Sequence, residues 1–129
     1  MLTEKDYCDK DLSLALKEAG YIGQGRCYYD LDKEPHKLRH FGIQVLTTRS
    51  AEALNFILAV HLYDAQKFLR EEKKIEVNAT YDNVVELHWH WYMKSLTNRN
   101  QATSIINHDS YEQALLAGIK EAVKILKEK

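Results

Sequence analysis

Residues that break or cross-link a chain are scarce in this sequence. Its 129 residues include one proline, five glycines and two cysteines. Cys8 and Cys27 have neither the C-x-x-C spacing of a redox pair nor that of a zinc site, so both are predicted to be reduced thiols, with Cys27 packed inside a strand. A chain of this length can bury enough apolar surface to fold without disulfides or metal. We therefore expect a fold held together by its core, and no cofactor.

Long apolar runs are missing as well. No stretch reaches the roughly 18 consecutive apolar residues that a membrane-spanning helix needs. Residues 1–11 are polar and acidic, unlike a secretory signal peptide. These features predict a cytoplasmic protein with no membrane partner.

The sequence also has almost no net charge. Its 18 lysines and arginines face 19 aspartates and glutamates, which gives a charge of -1 and makes a nucleic-acid partner unlikely. Residues 33–49 depart from this balance, with four basic side chains against one acidic and a local charge of +3. We call this stretch the basic segment, and its side chains Lys37, Arg39 and Arg49 are candidate contacts for a partner.

Residues 84–95 carry the clearest structural pattern, an alternation of apolar and polar side chains. This period of two is typical of a strand with one buried face. The apolar set is Val85, Leu87, Trp89, Trp91 and Met93, and the polar set is Glu86, His88, His90, Tyr92 and Lys94. Residues 75–80 alternate in the same way, and residues 81–83 have turn chemistry, so the two runs are predicted to form a β-hairpin.

Two helices are predicted at the ends of the chain. The first has apolar positions from Leu12 to Ala19, with Asp9 or Asp11 as its cap and Gly20 closing it. The last begins at Ser110, which forms a capping box with Gln113, and its buried stripe should lie across the tryptophan face of the hairpin. The stripe comprises Leu115, Leu116, Ile119, Ala122, Val123 and Leu126.

The rest of the chain is predicted from shorter signals. Strands are expected at residues 26–31, 43–47 and 102–107, and a short helix from Pro35 to His40. Residues 50–74 fit either one long helix or a strand at 55–60 followed by a helix at 61–74, because periodicity alone does not separate a buried strand from a buried helix.

Together these elements predict a single α+β domain spanning residues 1–129. Its sheet is largely antiparallel and centred on the tryptophan-bearing hairpin, with the helices packed mainly on one face. The strand at 102–107 leaves a sheet edge free, so pairing of two copies into a homodimer is a reasonable expectation.

Three stretches resemble a family of small proteins encoded by phages and prophage-like elements of gut anaerobes. They are residues 13–21 (SLALKEAGY), 65–77 (AQKFLREEKKIEV) and 110–126 (SYEQALLAGIKEAVKIL). That family commonly has Ala-Pro before its middle helix, where this chain has Ala59 and Val60, which favours a helix start near His61. The resemblance implies a shared α+β scaffold and a mobile-element origin. It carries no active-site residue.

Two kinds of chemistry can be read from the hairpin. His88 and His90, with Glu86, lie about 7 Å apart along one strand face and could bind a metal if the fold supplied a third ligand. Aromatic side chains with nearby Lys94 could instead bind single-stranded nucleic acid, although the tryptophans belong to the apolar face.

Neither pattern is complete, and no nucleophile elbow or phosphate loop is present. The sequence therefore favours a non-enzymatic accessory protein of a phage or mobile element. We expect it to act by contact with an unidentified host or phage protein, through Tyr92 on the polar hairpin face or through the basic segment.

Overall fold

The structure is a computed structural model that describes residues 6–42, 45–82, 88–97, 101–103 and 108–128. Its helices are α1 (Lys10–Glu18), α2 (Thr48–Ala53), α3 (Leu62–Glu72) and α4 (Tyr111–Lys127). Its strands are β1 (Gln24–Gly25), β2 (Cys27–Asp30), β3 (Arg39–His40), β4 (Leu46–Thr47), β5 (Phe56–Leu58), β6 (Ile75–Asp82), β7 (His88–Ser95) and β8 (Gln101–Thr103).

These elements confirm the predicted α+β class. The described strands form three antiparallel sheets, so the finer prediction of one sheet centred on residues 84–95 is not confirmed. Contacts group the chain into two compact units, Met1–His61 and Leu62–Lys129. The first contains α1, α2 and β1–β5, and the second contains α3, α4 and β6–β8.

Helix α1 forms where its local signals predict it. The Asp9 carboxylate accepts a hydrogen bond of 2.8 Å from the Leu12 amide, which satisfies one of the free donors at the helix start. Leu12 and Leu16 are buried. Gly20, at a φ of 107°, then reverses the chain in a conformation that other residues rarely adopt.

The three-stranded sheet of the first unit has the order β3-β2-β5. Its central strand confirms the strand predicted at residues 26–31. The short helix predicted from Pro35 to His40 is wrong, because Arg39 and His40 pair instead with Tyr28 and Cys27. That pairing commits their backbone to extended geometry, which excludes helical hydrogen bonds. Of the strand predicted at 43–47, residues 43 and 44 lie outside the described residues and Leu46–Thr47 pairs with β1.

The ambiguity over residues 50–74 is resolved in favour of a strand followed by a helix. A single turn-and-a-half of helix, α2, ends before Asn55, whose φ of 60° is left-handed. Strand β5 follows and pairs with β2, from Tyr28↔Leu58 to Asp30↔Phe56. Pairing with β2, which is remote in sequence, therefore makes these residues a strand, a choice that the local periodicity does not determine.

A buried hydrogen-bond network ties the ends of the first unit together. The Cys8 carbonyl accepts hydrogen bonds from the Tyr29 hydroxyl at 2.7 Å and from the Ser13 hydroxyl at 3.2 Å. The Ser13 hydroxyl oxygen accepts one from the Val60 amide at 3.2 Å, and Ser13 is fully buried. Every polar group of this network therefore has a partner, as burial requires.

The second unit contains the tryptophan-bearing strand. Strands β6 and β7 pair from Ile75↔Ser95 to Asp82↔His88, and β8 pairs with the other side of β7. The prediction of Tyr81 and Asp82 in the turn is wrong, because both pair with β7, opposite Trp89 and His88. The Tyr81 and Trp89 rings also pack together, with centroids 5.0 Å apart. Residue 83 of the predicted turn and residues 84–87 and 104–107 of the predicted strands lie outside the described residues.

Helix α4 packs across the tryptophan side of this sheet, as its stripe predicts. Ser110 caps it, accepting a hydrogen bond of 3.2 Å from the Gln113 amide. A β carbon at Gly118 would lie 2.9 Å from the Trp91 β carbon, so helix and strand are in direct contact there. Met93 is buried and both tryptophans are half-buried. Helix α3 contacts β6 and α4.

None of the helices in the described part of the chain combines the length and the apolar surface that crossing a bilayer demands.

Candidate functional site

The first unit contains an open groove of about 600 Å³ formed by the end of α1 and the start of α2. We call it the α1–α2 groove. Its lining residues are Lys17, Gly20, Tyr21, Ile22, Thr47, Thr48, Arg49 and Glu52. This volume lies within the range of about 300–1,000 Å³ typical of small-ligand sites.

Backbone pairing fixes the two walls of the groove against each other. The Gly23 amide donates to the Thr48 hydroxyl at 3.0 Å, and the Thr48 amide donates to the Gly23 carbonyl at 3.1 Å. Gln24 then pairs with Thr47 in the β1–β4 sheet. Segments 25 residues apart in sequence are thereby held side by side.

Helix α2 is short, and its own side chains stabilise its start. The Thr47 hydroxyl accepts a hydrogen bond from the Ser50 amide at 3.0 Å, and the Ser50 hydroxyl accepts one from the Thr47 amide at 2.8 Å. This reciprocal capping satisfies two donors that a helix start leaves free. It also fixes the backbone on which Arg49 lies.

The groove contains two cations and one carboxylate. Lys17 Nζ lies 3.5 Å from Glu52 Oε2, and the exposed fractions of these side chains are 28% and 64%. A pair this exposed contributes at most about 1 kcal/mol, because water screens it. Arg49 is exposed and pairs with none of the residues that the structure describes. One positive charge is therefore in excess.

An apolar side chain lines the same groove as these charges. Ile22 is 87% exposed, the highest value for a large hydrophobic residue in the described part of the chain. The Tyr21 ring next to it is buried and packs on Gly23. Cation and apolar surface thus meet in one concave site.

The structure separates the side chains that the basic segment placed together in sequence. Arg49 lines the groove, whereas Lys37 and Arg39 do not. Lys37 is exposed in the loop before β3, and Arg39 is half-buried in β3, opposite Tyr28. The Arg39 Nε atom is buried and has no hydrogen-bond partner among the described residues. Of these three side chains the groove contains Arg49 alone, and contact of any of them with a partner stays a prediction.

Tyr92, the fourth predicted contact, belongs to the second unit. It lies half-buried on β7, in register with Asn78 and Thr103. His90 lies two residues before it on the same face of the strand. Glu86 and the His88 side chain lie outside the described part of the chain, so the structure does not test whether these residues bind a metal, and the expectation that they form no metal site stays a prediction.

A cysteine–histidine contact was not anticipated. Cys27 Sγ lies 3.5 Å from His40 Nδ1, because β2 and β3 place the two residues directly opposite each other. The thiol is 2% exposed and contributes to a core cluster that includes Tyr29 and Ile57. Burial on this scale is typical of a packing cysteine, as predicted.

Sequence reasoning also missed Lys17, Ile22 and Glu52 as groove residues. One signal was available, since an isoleucine between Gly20 and Gly23 has no periodic partner that would bury it. The pairing of that turn with Thr48 has no local signature.

Comparison of the chain with protein-family models, with curated proteins and with solved structures gave no match.

Proposed function

We propose that the protein is a non-enzymatic accessory protein of a phage or other mobile element, and that it binds a host or phage protein in the cytoplasm through the α1–α2 groove. The observation that carries this proposal is the exposed pair Ile22 and Arg49 in a concave, preformed site. The resemblance of three segments to small phage-encoded proteins supports the mobile-element origin.

The composition of the groove suits a protein partner. Arginine and aromatic residues are enriched where proteins meet, and an exposed apolar side chain loses unfavourable contact with water when a partner covers it. Ile22 and Arg49 supply both features within one site.

The hydroxyl groups of the groove favour binding over catalysis. Those of Thr47 and Thr48 accept hydrogen bonds from the Ser50 and Gly23 amides, and the Ser50 hydroxyl beside the groove accepts from Thr47. A hydroxyl engaged in fixing the backbone is poorly placed to act as a nucleophile.

Site-specific photo-crosslinking tests this proposal. A photoreactive phenylalanine replaces Ile22, and in a control protein it replaces Tyr63, which is 50% exposed on α3. Both proteins are expressed in the source cells and irradiated. We expect a discrete protein adduct from position 22 that is absent from position 63. Adducts that are missing, or are the same from both positions, would contradict the proposal.

The same cells test whether the positive charge of Arg49 is needed for partner binding. Arg49→Glu should abolish the adduct from position 22. Arg70→Glu, which reverses the charge of another exposed arginine, on α3, should leave it unchanged. An adduct that survives Arg49→Glu would show that the groove is not the contact.

A further inference from the structure

The chemistry of the α1–α2 groove identifies the kind of segment that it fits. We infer that it binds a short peptide segment in which one acidic side chain adjoins one apolar side chain. The carboxylate binds Arg49 and Lys17, and the apolar side chain covers Ile22. This inference rests on the proposed function, and it adds the chemistry of the partner.

Arg49 supplies the principal contact for the carboxylate. A guanidinium group offers parallel N–H donors whose spacing matches the two oxygens of a carboxylate. The side chain is exposed and has no partner among the described residues, so it loses no existing ion pair on binding. The capping of α2 by Thr47 and Ser50 holds its backbone in place before the peptide arrives.

Lys17 can add a second contact to the peptide carboxylate with little loss of free energy from its existing ion pair. Its ion pair with Glu52 spans 3.5 Å and is partly exposed, so water screens it and exchange of one carboxylate for another changes its energy little. An incoming acid can therefore share Lys17 with Glu52 or replace it.

Glu52 limits how much negative charge the groove accepts. With Lys17 and Arg49 it leaves an excess of one positive charge, which one carboxylate neutralises. A phosphate group or a nucleic-acid strand brings more charge, and its excess would be repelled by the Glu52 carboxylate. The charge balance therefore favours a singly acidic peptide over a polyanion.

Ile22 explains why the segment must also have an apolar side chain. It is 87% exposed in the groove that the cations also line, and covering it removes apolar surface from water. A simple anion would leave this surface in contact with solvent. The paired walls around Gly23 and Thr48 need no rearrangement, which lowers the entropic cost of binding.

Solution NMR with defined peptides tests the inference. The probes are two N-acetylated, C-amidated tetrapeptides, Ala-Asp-Leu-Ala and Ala-Leu-Asp-Ala, since the order of the two side chains is open. Matched controls replace Asp by Asn or Leu by Ser, and inorganic phosphate tests for a general anion site. The observed signals are the Ile22 methyl groups and the Arg49 Nε–H.

We expect at least one acidic–apolar peptide to shift both signals, and to bind roughly fivefold or more tightly than either of its controls, as loss of a charge-assisted hydrogen bond or an apolar contact would produce. Arg49→Gln should remove most of the preference for Asp over Asn, leaving at most the part that Lys17 supplies. Equal binding of the Asp and Asn peptides, tighter binding of phosphate, or absence of any shift would overturn the inference.

A second variant tests the role of Glu52. Glu52→Gln should increase phosphate binding relative to the unmodified protein, because it removes the repelling carboxylate. Unchanged phosphate binding would contradict the proposed selectivity. If the peptides fail while the Ile22 adduct still depends on Arg49, the proposed function stands and this inference falls. If the peptides bind selectively and no adduct forms, the inference about peptide chemistry stands and the proposed function falls.

Discussion

The hydroxyl group of Tyr21 occupies the space in which a β carbon on Gly23 would lie. Both residues belong to the turn that forms one wall of the α1–α2 groove, so a side chain at position 23 would displace the Tyr21 ring. Gly23→Ala is therefore expected to destabilise the protein by about 1–3 kcal/mol, the usual cost of overpacking. Urea denaturation measures the free energy of unfolding.

Gly25→Ala is the matched control for this prediction. A β carbon at Gly25 would lie 3.7 Å from Leu58 Cδ1, an ordinary contact distance. The two variants share the same chemical change two residues apart. Equal losses of stability from both would show that Tyr21 does not restrict position 23.

Gly118 in α4 makes a similar close approach to the sheet of the second unit. A β carbon there would lie 2.8 Å from Val77 Cγ1 and 2.9 Å from Trp91 Cβ. Alanine favours a helix by about 1 kcal/mol relative to glycine, but the overlap should outweigh this gain. We expect a net loss for Gly118→Ala in thermal unfolding and almost none for the exposed Lys124→Ala. A stabilised Gly118→Ala protein would mean that α4 does not pack on Trp91.

The buried Ser13 hydroxyl should be important for the stability of the first unit. Ser13→Ala removes the acceptor of the Val60 amide and one donor to the Cys8 carbonyl. An unsatisfied buried amide costs about 1–3 kcal/mol. We expect faster hydrogen exchange of the Val60 amide and a loss of that size in urea denaturation. Unchanged exchange at Val60 would contradict the network.

Two side chains cover the outer edge of β6. The Gln66 amide donates to the Val77 carbonyl at 2.8 Å, and Asn78 Oδ1 accepts from the Ala79 amide at 2.9 Å. The backbone N–H and C=O groups of Trp89 hydrogen-bond to His108, on the side of β7 that faces β8. Along an antiparallel strand these groups alternate between the two neighbouring sides. In the register of β6 with β7, the backbone N–H and C=O groups of Val77 and Ala79 therefore point away from β7.

The covered edge of β6 limits how two copies of the chain could pair in the proposed homodimer. Because covered edges resist pairing with other chains, a dimer should not form through β6. The double variant Gln66→Ala and Asn78→Ala should self-associate at lower concentration than the unmodified protein. Sedimentation velocity over a micromolar range compares them, with Arg70→Ala as the control on the same helix. Identical behaviour of all three proteins would contradict a protective role for these side chains.

The accuracy of the sequence predictions depends on how local each signal is. Asp9 and Ser110 mark helix starts correctly, because a cap and its apolar stripe lie within a few residues of each other. Arg39 and His40 were assigned to a helix, since the pairing that makes them a strand involves residues 11 to 13 positions away.

The groove was missed for the same reason. Gly23 and Thr48 are 25 positions apart, and no local pattern indicates that they meet. The excess of positive charge in the basic segment singles out Arg49, whose contact with a partner stays a prediction. It did not show that Arg39 is half-buried or that Lys37 lies outside the groove, because charge counted along a sequence does not define a surface.

The most direct test of the account is the affinity of the partner captured through position 22, measured by calorimetry with purified proteins. Loss of a charge-assisted contact costs about 1.5–3 kcal/mol, so Arg49→Glu should weaken binding by roughly tenfold or more. Arg49→Lys should retain part of the affinity, because it keeps the charge without the guanidinium geometry. Arg70→Glu should change the affinity by less than about twofold, as a substitution outside the contact would. Equal affinities for Arg49→Glu, Arg70→Glu and the unmodified protein would contradict the claim that the α1–α2 groove is a binding site.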